Sequence, residues 1–178
     1  MTESKSLSQL LEALAFAAHK HRAQRRKDVE ASPYINHPIA LARTLAVEGG
    51  VTDTKTLVAA LLHDTVEDTD TTFEEIAAMF GKKVADVVRE VTDDNQLAKP
   101  DRKRLQIEHA PTMSKRAALV KLADKTSNLR DVASNPPRGW PLARRRAYFD
   151  WAKAVVDRLP RVSDRLRAAF DDAYSQRP

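Results

Sequence analysis

Apolar residues recur at three- and four-residue intervals along almost the whole chain, a spacing that predicts helices rather than strands. Leu7, Leu10, Leu11, Leu14, Ala15 and Ala18 mark one face of a first helix over 7–24, followed by a loop of mixed charge at 25–34. Pro38 sits where a helix can begin, since its missing N–H costs nothing in the first turn. That helix reaches Glu48 and stops at Gly49-Gly50. Thr52 or Asp53 can cap the next, which carries Leu57, Val58, Leu61 and Leu62. Its apolar stretch AALLHDTVEDT is expected to stay helical from Ala59 to Thr69. Thr72 followed by Glu75 makes a capping box for a short helix ending at Gly81. Val84, Val87, Val88 and Val91 are β-branched, which favours a strand, but their spacing favours a helix. A polar loop at 92–100 precedes a basic helix over 101–109, stopped before Pro111. Ser114 opens a long helix, which Asn135-Pro136-Pro137-Arg138-Gly139 breaks. Two last helices cover 141–159 and 161–174. The pattern predicts an all-α chain forming a single domain over 1–178, without internal repeats.

Composition narrows this picture. The 178 residues suffice for one continuous core, and with 42% apolar and 6% aromatic residues that core is mainly Leu, Ala, Val and Ile. Four glycines argue against Gly-rich phosphate loops, and the lack of cysteine excludes disulfides and thiolate-bound zinc. No apolar run approaches a membrane span, and the first twenty residues have no basic region followed by an apolar one. A cytoplasmic protein with no membrane partner is expected. Net charge is +5, and the basic residues bunch at Arg25-Arg26-Lys27, Arg102-Lys103-Arg104 and Arg144-Arg145-Arg146. Such clusters suit a polyanion, or are simply solvated helix faces. Acidic residues interleave throughout and no aromatic platform accompanies the clusters, so nucleic acid is not the expected partner.

The candidate chemistry lies in His63-Asp64, inside an apolar helix, with His37 upstream and Asp124 downstream, each in an apolar-flanked segment. Imidazole and carboxylate groups facing inward are costly to bury unpaired, and a shared divalent cation removes that cost. Adjacent His63 and Asp64 diverge by about 100° on a continuous helix, yet both can reach a cation at its flank. Glu67 and Asp68 follow one turn later, where a carboxylate can orient or deprotonate water activated by the cation. Two imidazoles and two carboxylates suit Mn²⁺, Fe²⁺, Co²⁺ or Zn²⁺ alike. Each residue also has a plain structural role open to it: HDTVEDTD as an acidic edge, His37 as a cap, Asp124 paired with Lys121 or Lys125. The conjunction of four ligands on three helices favours the metal. His19, His21 and His109 stand among charged residues and are expected at the surface. Arg26 and Lys27 precede His37 closely, Asn128 lies one turn beyond Asp124, and Lys99 flanks the polar loop. Arg144 and Tyr148 share a face with Trp140 a turn earlier, and Tyr148 can serve either ligand or core.

RRKDVEASPYINHP, AALLHDTVEDTDTTFEEI, VREVTDDNQLAKPDRKR and VKLADKTSNLRDV together resemble the small alarmone hydrolases of the Mesh type, relatives of the hydrolase half of bifunctional Rel/Spo enzymes. The resemblance covers residues 19–151 and implies an all-helical HD-domain fold. It implies removal of the 3′-pyrophosphate of guanosine tetra- and pentaphosphate, (p)ppGpp, with one Mn²⁺ per chain; some members also remove the 2′-phosphate of NADPH. By resemblance, His37, His63, Asp64 and Asp124 are the metal ligands, Glu67 and Asp68 the catalytic carboxylates, and Arg26, Lys27, Lys99, Asn128, Arg144 and Tyr148 the substrate contacts. Val29 and Ala31 stand in a stretch that is often more polar or glycine-bearing in such proteins. A sensor that binds without cleaving requires a broken acid or imidazole set, and none of those residues is missing. Oligomeric state is not legible.

Overall fold

Two helices buried nearly throughout their length set the architecture. In α3 (Thr54–Leu62) every residue but Lys55 is buried, and α8 (Lys115–Ser134) buries an unbroken run from Ala117 to Ser127. The computed structural model describes residues 3–178 and arranges the other helices around these two. They are α1 (Glu3–Lys20), α2 (Asn36–Arg43), α4 (Thr65–Asp68), α5 (Phe73–Phe80), α6 (Lys82–Val91), α7 (Lys99–His109), α9 (Leu142–Val156) and α10 (Asp164–Ser175). A π turn at Thr44–Glu48 extends α2. No strand occurs among the described residues, only an isolated bridge between Arg25 and Pro33. α3 packs against α1, α2, α6 and α8, while α8 also carries α9 and α10, and α7 lies on α9. Leu41, Leu45, Leu62, Ile76, Leu129, Phe149 and Phe170 are fully buried members of one contiguous core. The all-α expectation therefore holds. No helix among the described residues is long and apolar enough to cross a membrane.

Local chemistry explains most boundaries. Thr72 accepts a hydrogen bond from the Glu75 N–H (3.1 Å) to start α5, and Gly81, at φ +93°, takes the left-handed conformation that ends it. Asp53, not Thr52, caps α3: its carboxylate accepts from the Thr56 N–H (3.1 Å) and pairs with Arg116 Nε of α8 (2.7 Å). Arg116 foremost, and Thr56, hold the Asp53 carboxyl down at about 2. Asp53→Ala is expected to destabilise the fold by about 1 kcal/mol at pH 7, mostly through the lost cap, since the ion pair is half exposed and screened. The folded pKa lies below the unfolded 3.8, so this contribution is complete above pH 3.8 and fades as pH falls through 2. Urea titrations at pH 7 and pH 2.5 should show the gap between the two proteins shrink.

Several boundaries differ from the pattern. α1 runs Glu3–Lys20, and only part of the expected face is buried: Leu10 and Leu14 pack on the core. Ala13 and Ala17 are fully buried whereas Leu7 and Leu11 are 59% and 57% exposed; α1 lies on α3, where small side chains permit close approach. α7 begins at Lys99, with Pro100 accepted in its first turn. α9 starts one residue after Pro141, and Ser163 caps α10. His21, expected at the surface, is buried: its ring packs against Tyr34 at 4.7 Å and its Nδ1 meets Gln24 Oε1 at 2.5 Å. Ala31 adopts φ +51°, a conformation that favours glycine.

The largest difference falls at His63-Asp64. The helix expected through Thr69 stops at Leu62, turns at these two residues and resumes as the single turn α4. Side chains take the carbonyls that would have continued it: His63 Nδ1 donates to Ala60 O (2.8 Å) and Thr65 Oγ1 donates to Leu62 O (2.7 Å). Asp64 sits at φ −100°, ψ −2°, at the edge of the right-handed helical region.

Candidate metal centre

Three helices deliver four side chains to one point. His37 comes from the first turn of α2, His63 and Asp64 from the break between α3 and α4, and Asp124 from the middle of α8. His37 Nε2 is 3.3 Å from Asp124 Oδ1 and 3.9 Å from Asp64 Oδ2. His63 Nε2 is 2.9 Å from Asp64 Oδ2 and 4.0 Å from Asp124 Oδ1. His63 and Asp64 meet at the junction of α3 and α4. With Nδ1 donating to Ala60 O, the His63 ring turns Nε2 to the cluster, where it is buried and forms no hydrogen bond. An orphaned imidazole nitrogen beside two carboxylates, with no sulfur in the set, fits a divalent transition metal. His37, His63 and Asp124 each place a donor atom within 4.8 Å of the others.

Further groups hold the ligands. The Tyr34 hydroxyl donates to Asp64 Oδ2. Asn128 Nδ2 donates to Asp124 Oδ1 (2.6 Å), and Lys125 Nζ donates to Asp124 Oδ2 (3.1 Å). Lys121, also buried, donates to the Val91 carbonyl (2.9 Å). Burial pulls the His63 imidazolium down, but Asp64 and Asp124 beside it more than offset this and push it up to about 9. Burial opposes ionisation of Asp64 and Asp124 as well; the two imidazoles, and Lys125 at Asp124, keep both well below the usual carboxylate range. The metal-free protein therefore keeps this stabilisation at pH values below 6.5 and loses it as pH rises through about 9. A cation must displace the His63 proton. Binding of a divalent transition metal at pH 7 is expected to release about one proton per ion and to tighten as pH rises. Calorimetry in two buffers of different ionisation enthalpy measures this; equal heats in both would contradict it.

The cluster lies in a cavity of about 160 Å³ lined also by Arg26, Tyr34, Glu67, Asp93 and Gln106. Glu67 faces it from α4, and burial, then the charges of Asp64 and Asp93, push its carboxyl up to about 7. Asp68 is exposed, accepts from Gln24 Nε2 (2.9 Å), and lines a neighbouring cleft rather than this cavity. That cleft, about 470 Å³, also takes Arg26, Lys27, Asn128, Asp131, Trp140 and Tyr148. On the other side Lys99, Arg102, Lys103 and Arg144 line a cavity of about 170 Å³ with Trp140, Tyr148 and Trp151. The three spaces share walls: Arg26, Tyr34, His37 and Asn128 between the first two, Asp93 and Gln106 between the first and third, Trp140 and Tyr148 between the outer two. Burial lowers Lys99 and Lys103, and the neighbouring cations lower them further. An anion among these side chains relieves that repulsion. Arg26 is anchored to Asp131 (2.5 Å), and the Arg144 guanidinium stacks over Trp140 at 4.3 Å.

Sequence reasoning missed several wall residues. Tyr34 lies three residues before His37, one turn away, and that spacing was a usable signal. Lys103 over the Trp151 ring (4.6 Å) and Lys125 over the same ring (4.3 Å) join segments far apart in sequence, with no local signal.

A family model described as an HD domain matches residues 13–148. The guanosine-3′,5′-bis(diphosphate) 3′-pyrophosphohydrolase MESH1 of Xenopus tropicalis is 56% identical over 165 residues, 93% of this chain and 92% of that protein. The bifunctional (p)ppGpp synthase/hydrolase SpoT of Escherichia coli is 39% identical over 137 residues, 74% of this chain and 19% of that enzyme. The solved structure of a metazoan orthologue of SpoT that hydrolyses ppGpp superposes with a TM-score of 0.92 at 52% identity, covering 95% of each chain.

Proposed function

Since this chain belongs to the HD-domain family, alongside its ppGpp-hydrolysing members, we infer that it is a metal-dependent guanosine-3′,5′-bis(diphosphate) 3′-pyrophosphohydrolase that converts (p)ppGpp to GDP or GTP and pyrophosphate. The observation that carries this reading is 56% identity along 93% of the chain to an enzyme named for that reaction. A sulfur-free set of two imidazoles and two carboxylates, His37, His63, Asp64 and Asp124, suits a divalent transition metal, and the resemblance to Mn²⁺-dependent alarmone hydrolases favours one Mn²⁺ per chain among the ions it would accept. When bound there, a divalent cation supplies Lewis acidity, which acidifies water and draws charge from a phosphoryl oxygen.

The chain's own residues do the rest. Glu67 accepts the proton of the attacking water as its oxygen bonds to the phosphorus on the 3′ oxygen. The P–O3′ bond breaks, the ribose oxygen takes up a proton, and pyrophosphate leaves with the water oxygen. Asp68, on the cleft side, acts on Glu67 through its charge, which adds to the upward push on the Glu67 carboxyl. Arg26 and Lys27 balance charge on the transferred pyrophosphate, and Lys99 and Arg144 balance charge on the other diphosphate. Tyr148, beside Trp140, offers a ring for the base. Asn128 keeps Asp124 oriented from the same wall. The partner is a small nucleotide, not nucleic acid.

A panel of ppGpp, pppGpp, NADPH and deoxynucleotides in ¹⁸O-water with Mn²⁺ tests this reading. Pyrophosphate carrying the label, released fastest from the guanosine 3′-diphosphates, is the expected result. Orthophosphate as the main product, or faster turnover of NADPH, would overturn it.

A further inference from the structure

Glu67 is held from outside its own helix. Its Oε2 accepts from the Asp93 N–H (3.2 Å), and its Oε1 lies 3.6 Å from Arg102 Nη1. Its backbone carbonyl accepts from Asn95 Nδ2 (2.6 Å), and Asn95 Oδ1 accepts from the same Arg102 Nη1 (3.0 Å). Glu67, Arg102 and Asn95 thus form a closed ring, from carboxylate to guanidinium to amide and back to the carbonyl of the same glutamate. Asp93, which completes the cradle, is pinned by Gln106 Nε2 (2.5 Å). All four partners come from α7 or the segment before it.

α4 needs such help. It is four residues long, a single turn, too short to be stable by itself. The Glu67 side chain has three rotatable bonds, and the negative charges of Asp64 and Asp93 favour its turning outward to water. The guanidinium of Arg102 is the cation beside Oε1 and opposes that swing. We propose that Arg102, braced by Asn95, is a positioning residue that aims the Glu67 carboxylate into the metal cavity. The inference rests on Glu67 being the base of the proposed reaction. Among the described residues the Asn95 side chain bonds the Glu67 carbonyl and Arg102 alone, so it acts on turnover through them.

The test measures kcat, KM and metal content with ppGpp and Mn²⁺ for Arg102→Ala, Arg102→Lys, Asn95→Ala, Glu67→Gln and Arg102→Ala combined with Glu67→Gln. A base displaced by about 1 Å costs on the order of 100-fold, so Arg102→Ala is expected to lower kcat by about 30- to 100-fold, with a rise in KM of about a few-fold from the cation lost to the neighbouring cavity that Arg102 also lines. Asn95→Ala should lower kcat about tenfold, and Arg102→Lys, which restores a cation without the fork, should recover part of the loss. Metal content should match wild type in each. Arg102→Ala should add nothing in the Glu67→Gln background, because the group it positions is already gone. Unchanged kcat in both Arg102→Ala and Asn95→Ala would overturn the inference. So would a raised KM with intact kcat, or losses that multiply in the double variant. Wild-type turnover in Glu67→Gln would instead overturn the base assignment, a result separable from the other three. Should Arg102→Ala fail to fold, Asn95→Ala and Arg102→Lys carry the same comparison.

Discussion

His63→Ala is expected to lose the metal and turnover together. His63 supplies an imidazole nitrogen already turned to the cluster by its bond to Ala60 O, buried and otherwise without a hydrogen bond. Removing it deletes a ligand and also the charge that does most to hold Asp64 ionised, while Asp124 keeps Lys125 and His37 beside it. Loss of a group that merely orients a ligand costs about 10- to 100-fold in metal affinity, so loss of the ligand itself should exceed about 100-fold. kcat/KM should fall by more than about 100-fold, the effect of removing one strong electrostatic stabiliser from a transition state. Metal content after gel filtration, measured by emission spectrometry, and pyrophosphate release check the two effects. Circular dichroism separates them from unfolding. Full metal content with wild-type turnover would place the ion elsewhere.

Glu67→Gln should separate what His63→Ala removes together. The substitution keeps the shape of the side chain and the bond from the Asp93 N–H, but an amide cannot take a proton from water. The variant should keep the ion and a KM within a few-fold of wild type, while kcat drops by about 100- to 10,000-fold, the range of general-base catalysis. The wild-type carboxyl is pushed up to about 7, first by burial and then by Asp64 and Asp93. It must be ionised to accept a proton, so the wild-type rate should fall as pH drops below 7, or at lower pH once a cation sits beside it. That acid limb should vanish from Glu67→Gln. A pH–rate profile and metal analysis on the same preparation measure both effects; retention of the limb would assign the base to another group.

The helical pattern made the fold class legible, since the three- and four-residue spacing of Leu57, Val58, Leu61 and Leu62 reports helix geometry directly. The face of α1 was legible only in part: Leu10 and Leu14 pack on the core as read. Leu7 and Leu11 read as core, but two alanines make the close contact and the leucines face solvent. The isolated histidines and aspartates pointed to the cluster because an imidazole or carboxylate turned into an apolar core needs a partner to offset its lost hydration. The break at His63 and Asp64 was hidden, since it depends on side-chain bonds to Ala60 O and Leu62 O that compete with the helix. His21 read as surface from its charged neighbours, yet its ring packs on Tyr34. The walls contributed by Lys103, Lys125 and Trp151 meet only through tertiary packing, and no local pattern announces them.

Crystals grown with Mn²⁺ and measured at its absorption edge test the central claim most directly. One anomalous peak is expected within bonding distance of His37 Nε2, His63 Nε2 and a carboxylate oxygen each of Asp64 and Asp124. A peak bonded elsewhere, or none at a Mn²⁺ concentration that supports full turnover, would contradict it.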